Sequence, residues 1–233
     1  MDEEHPRSGQ PLLDGPARRW AGAVLACCVV LVAVLGALFA HQAQPAWIDR
    51  VIDNPVIAWL GGHGQLPLWL AYPATLLPAG GISAVIAIGC VVTRRFNGAI
   101  LAVAAIPVAS TINDALLKPL VHRTYLGQLS YPSGHTASMF ALAAMVTVLL
   151  LMPWRPVMPA VPRLVILVAA WALGCVVAMG VIGLRWHYFT DTVAGAAVGT
   201  GTVCGLALIL DLPAIRRWLS RCGRTRRPPT ASS

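Results

Sequence analysis

Residues 132–152 read PSGHTASMFALAAMVTVLLLM. A proline and a Ser-Gly helix start open a run without a single Asp, Glu, Lys or Arg. A bilayer helix needs about twenty such residues, so this stretch reads as a transmembrane helix whose first turn carries a histidine. Working outward, comparable apolar runs lie over residues 20–40, within 66–92, and over 97–117, 163–184 and 191–210. The chain is predicted to be all-α, a polytopic membrane protein with about six transmembrane helices in a bundle.

The composition agrees. Apolar residues make up 57% of the 233 and charged residues only 11%, against about a quarter charged in soluble proteins. The charges collect in short clusters between the apolar runs. Residues 1–19 are expected to form a polar, loosely ordered cytoplasmic tail, 20–212 the membrane domain, and 213–233 a basic cytoplasmic tail. The first run is too long for a signal-peptide core of about 7–15 residues and reads as an uncleaved anchor. Residues 41–64 read as a polar-aromatic connection. Pro73, Pro78 and Gly80-Gly81 predict a bend or a re-entrant piece at the second span.

A net charge of +8 would suggest nucleic acid in a soluble protein. Here no basic stripe with interleaved aromatics occurs, and nucleic-acid binding is excluded. Arg18-Arg19, Arg94-Arg95, Arg155 with Arg163, and the arginines from Arg216 to Arg227 all fall on one side of a six-span layout. That side is cytoplasmic by the positive-inside rule, with both termini there, in a plasma (inner) membrane. Arginine used in place of lysine, with abundant Ala, Val and Gly, suits a GC-rich bacterial genome. Six cysteines show no CxxC or zinc spacing and read as small apolar residues.

The polar residues of the opposite border carry the chemistry. Ser133-Gly134 opens a helix whose N–H groups and dipole make an anion site, with serine as donor or cap and glycine allowing close approach. His135 lies in the first turn, placed to hand a proton to a departing group. His187 and Asp191, four apart, would share a helical face, the carboxylate holding the imidazole for use as base or nucleophile. Lys118 is the only lysine in the chain and ends the third span, with Asp114 as a partner inside the bundle. Arg123 is a second cation suited to oxyanions. The bland alternatives are an ordinary N-cap, a surface His/Asp pair, a snorkelling lysine and a loop arginine.

Taken together these residues resemble the type 2 phosphatidic acid phosphatase superfamily, lipid phosphatases that share a core with vanadium haloperoxidases. That family shows Lys-x6-Arg-Pro, Pro-Ser-Gly-His and Ser-Arg-x5-His-x3-Asp. The second block is intact as Pro132-Ser133-Gly134-His135, and the end of the third as His187 and Asp191. The first departs: Tyr125 stands seven after Lys118, and Arg123 comes two residues early, followed by Thr124. In the third, Gly180-Val181 replaces Ser-Arg, and Arg185 stands one turn later.

The resemblance implies a phosphatase without metal or cofactor. His187 would be nucleophile, Asp191 its orienting carboxylate and His135 the acid. Lys118, Arg123, Ser133, Gly134 and Arg185 would bind phosphate, the two arginines as displaced substitutes. Implied partners are membrane lipids and a lipid phosphate substrate: a polyprenyl diphosphate, or else phosphatidic acid or phosphatidylglycerol phosphate. The motifs carry no signal for an oligomer. A non-catalytic relative that binds or moves lipids is the rival from another class. A bis-histidine haem protein would need its histidines at mid-membrane depth, whereas His135 and His187 lie at the border.

Overall fold

The computed structural model describes residues 11–151 and 158–215; most of both tails and much of the proline-rich turn before the fifth span lie outside it. Six helical segments are long and apolar enough to cross a membrane. They comprise α1 (Gly15–Phe39), the segment Leu66–Val92, the segment Phe96–Val121, α7 (Gly134–Leu151), α8 (Ala160–Gly183) and α9 (Phe189–Leu210). The expected all-α architecture and span count are therefore found.

The second span is broken where the prolines predicted. A short α3 (Leu66–Ala71) passes into a 3-10 turn over Tyr72–Ala74, and after an extended Thr75 the chain resumes as α4 (Leu76–Val92). The third span begins as α5 (Phe96–Thr111), widens to one π-helical stretch over Ile112–Leu117, and ends as α6 (Lys118–Val121). His122 then turns left-handed, with φ 52°, and stops the helix.

α7 and α9 occupy the centre, each 61% buried, whereas α1 is 6% buried along its apolar window and presents most of its surface outward. Their close approach depends on two glycines of α9. A Cβ on Gly195 would collide with the Ser133 carbonyl oxygen, and one on Gly199 with that of Ala137. Small-residue contacts of this kind are how helices associate when the solvent is itself apolar. Here they also hold the starts of α7 and α9 side by side.

Two expectations are corrected. Residues 41–64 are not a mere connection: α2 (Trp47–Gly61) lies there, with Asp49 and Asp53 on its buried face. Nor are residues 11–19 loosely ordered. The Asp14 carboxylate accepts from the Ala17 N–H as N-cap, and Pro16 sits in the first turn, so α1 starts at Gly15, before the first strongly apolar residue. Leu12 and Leu13 are buried, and their N–H groups donate to the two oxygens of Asp211 at 2.7 and 2.8 Å. Arg18 completes the clasp by donating to the Asp211 carbonyl at 2.8 Å.

The clasp ties the start of α1 to the end of α9. Asp211→Ala should lower stability by about 1–3 kcal/mol, the cost of buried donors left without an acceptor. A fall in the thermal midpoint of the detergent-solubilised protein would show it. An unchanged midpoint would mean that water replaces the carboxylate at no cost.

Candidate functional site

The end of the bundle where α7 and α9 begin holds a cavity of about 860 Å³. Its polar end is lined by Lys118, Asp114, Gly134, His135, Arg185 and His187. From there it runs between α4 and α5 past Ala79, Ser83, Val103 and Ile106. Five of the eight predicted site residues thus share one chamber.

His187 is nearly buried, and its Nδ1 lies 2.8 Å from the Ser130 carbonyl oxygen. A carbonyl only accepts, so Nδ1 carries the hydrogen and Nε2 keeps its lone pair. Burial pushes the His187 pKa down to about 3, against a smaller upward pull from the Ser130 carbonyl; Lys118 and His135 add to the depression. The imidazole is therefore neutral at physiological pH, the form that can act as a nucleophile.

The expected His187–Asp191 hydrogen bond is not made. His187 precedes α9, which begins at Phe189, so the four-residue spacing does not put the two on one helical face. Asp191 is instead the third residue of α9, where its carboxylate accepts from the Tyr188 N–H at 3.1 Å and from Arg123 Nη1 at 2.6 Å. Its backbone carbonyl accepts from the Ser133 N–H at 3.0 Å, joining the starts of α9 and α7. Asp191 is linked to the His187 site through Arg123, which it binds by its carboxylate and whose carbonyl accepts from the Ser130 N–H.

Arg123 is likewise corrected. It is fully buried and does not line the cavity. Nη1 donates to Thr190 Oγ1 and Asp191 Oδ1, and Nη2 to Asp49 Oδ2, each at 2.6 Å. The guanidinium lies between the rings of Phe39 and Tyr188, 4.3 and 4.4 Å from their centroids. With its charge committed to two buried carboxylates, it serves as a bracket between α2 and α9 rather than as a phosphate ligand. The Arg123 carbonyl also accepts from the Ser130 N–H at 2.9 Å, so the same residue fixes the segment that holds His187.

Ser133 is buried too. Its Oγ accepts from the Thr136 N–H at 3.4 Å and from Thr136 Oγ1 at 3.0 Å, the cap of the two roles expected for it. Gly134, next in the chain, faces the cavity. Lys118 pairs with Asp114 at 2.8 Å, as the spacing suggested. Asn113 steadies that carboxylate, its Nδ2 donating to Asp114 Oδ1 at 3.1 Å and to the Pro132 carbonyl at 3.2 Å. The His135 ring packs on Trp186, with centroids 5.4 Å apart. Arg185 lines the chamber from a left-handed backbone, φ 60°. An arginine in that region is uncommon and tends to mark a functional position.

Three residues of the site were missed. Ser130 carries no sequence signal, because its contribution is a carbonyl. Asp49 and Asp53 had one, two carboxylates four apart among Trp, Ile and Val, a spacing that puts both on one helical face. Asp49 binds Arg123 and accepts from the Thr190 N–H at 2.9 Å; Asp53 accepts from the Phe189 N–H at 3.1 Å. Burial first, and then the Asp49 charge, push the Asp53 pKa up to about 7. Among the described residues no group of three or more His, Cys, Asp or Glu is gathered as a metal site.

The fold and chamber define a multi-pass membrane protein with a buried histidine beside Lys118 and Arg185 in one cavity. A family model places it more narrowly: residues 19–212 match the PAP2 superfamily, to which the chain belongs. The crystal structure described as the first transmembrane PAP2 type phosphatidylglycerolphosphate phosphatase, from Bacillus subtilis, is similar in fold. The TM-score is 0.61 at 15% identity, covering 88% of this chain and 98% of that one. No curated protein sequence matches the chain.

Proposed function

We propose that the protein is a lipid phosphatase, hydrolysing the terminal phosphate of a lipid phosphate or polyprenyl diphosphate through a phosphohistidine. The observation that carries the reading is the His187 tautomer: Nδ1 is held by the Ser130 carbonyl, leaving an unprotonated Nε2 on a residue of the chamber. Nε2 attacks phosphorus, the bond to the leaving oxygen breaks, and that oxygen takes a proton from His135. Water then attacks the phosphohistidine, His135 accepts its proton, and phosphate leaves.

Charge on the transferring phosphoryl oxygens is met by Lys118, Arg185 and the first N–H groups of α7, fixed donors of the kind on which phosphoryl transfer depends. Lys118 must loosen from Asp114 to do so. The scheme assigns no step to a metal. The chamber end of the bundle lies opposite Arg18-Arg19, Arg94-Arg95 and Arg163, which supports an outward-facing site in a plasma membrane with cytoplasmic termini.

An outward site suits a polyprenyl diphosphate released by cell-wall synthesis, and that is the substrate favoured here. Phosphatidic acid and phosphatidylglycerol phosphate present the same terminal group; the second is the substrate named for the Bacillus protein. The test is phosphate release by purified protein from all three lipids in parallel, with chelator present. Release is expected, and the ratio of rates names the substrate. Release abolished by chelator would overturn the metal-free scheme, and none from any lipid would favour the non-catalytic rival.

A further inference from the structure

Between Arg123 and Ser130 the chain makes a two-residue hairpin, β1 (Thr124–Tyr125) pairing antiparallel with β2 (Gln128–Leu129), Tyr125 opposite Gln128. The two turn residues, Leu126 and Gly127, have φ of 48° and 80°. Positive φ at both is the type I′ condition, which favours Asn-Gly. Glycine suits its place; a leucine at positive φ is sterically disfavoured. Nor does packing within the protein explain it, because Leu126 is 82% exposed.

Leu126 lines the chamber, as do Leu129 of the same hairpin and, from the start of α4, Leu76, itself 85% exposed. These leucines line the same cavity as Lys118, His135, Arg185 and His187.

We propose that Leu126 is a specificity-determining residue: it covers the hydrocarbon nearest the scissile phosphate and so selects lipid-linked phosphates over water-soluble phosphate esters. This rests on the phosphatase reading above. The hairpin also carries, through Arg123 and Ser130, the carbonyl that orients His187. A chain seated under Leu126 therefore lies against the same short loop that sets the nucleophile.

The test is Leu126→Asn, with Leu126→Gly as a second variant. Both residues accept the turn conformation better than leucine does, so the thermal midpoint should hold or rise. The ratio of kcat/KM for a long-chain phosphatidic acid in mixed micelles to that for p-nitrophenyl phosphate should fall about ten-fold or more, the scale of discrimination by a few methylenes. The change should lie mainly in KM for the lipid. An unaltered ratio, whether both rates hold or both fall together, would overturn the proposal while leaving the phosphatase reading intact. A wild-type protein that cleaves neither compound nor any of the three lipids above would overturn both.

Discussion

His187→Ala is expected to abolish phosphate release, by on the order of 10⁴–10⁶-fold, as when other enzymes lose their nucleophile. The chamber would keep Lys118, Arg185, His135 and the start of α7, so substrate should still bind. A phosphoryl adduct stable to alkali and labile to acid should be trapped from labelled substrate on the wild-type protein and be missing from the variant. Retention of activity within ten-fold would assign the nucleophile elsewhere. The same variant has a pH signature. The folded-state pKa of His187, about 3, lies below its ordinary value of 6.5. The unfolded chain therefore takes up this proton first as pH falls. The stability tied to neutral His187 is full above about pH 6.5 and is lost as pH drops toward 3. His187→Ala should remove that loss, so the midpoint of the variant relative to wild type should rise on acidification across this window. Parallel midpoints from pH 7 to 4 would show that His187 is not held neutral by burial.

The spans were legible because a bilayer imposes a length and a charge limit that single residues cannot disguise. The break at Pro73 was legible for a similar local reason. α2 was not: at fifteen residues, with four charged or amide side chains and an internal Pro55, it falls below any membrane criterion. Its buried face becomes visible only once α8 and α9 are in place. The site divides along the same line. Lys118, His135, Gly134 and Arg185 lie in the chamber because each sits at a helix end whose position the spans dictate. The partnerships do not follow from helix ends. Asp191 and His187 belong to different backbone conformations on either side of Tyr188, so their spacing misleads. Arg123 reads as a phosphate ligand only while Asp49, 74 residues away, is out of sight.

That difference in the role of Arg123 has a measurable consequence. A phosphate ligand removed from a pocket slows the reaction and leaves the folded protein much as it was. A buried guanidinium removed from between two carboxylates destabilises the fold itself, and slows the reaction only through that loss. Arg123→Ala would strand Asp49 and Asp191, both fully buried, without their cation, a loss of about 3–5 kcal/mol for a broken buried pair. Lysine should not rescue it, because one ammonium cannot reproduce a planar fork that serves Asp49, Thr190 and Asp191 at once. Asp49→Ala should be less severe, since Arg123 would keep Asp191. Thermal unfolding in detergent, beside turnover, separates the two roles. The bracket predicts a large drop in the midpoint for alanine and lysine alike, with turnover falling as α9 loses its register against α7. A normal midpoint with slow turnover would return Arg123 to the phosphate. If the bracket holds, Arg123 fixes the start of α9 and, through its carbonyl, the Ser130 segment that orients His187, while Lys118 and Arg185 are the cations that line the chamber.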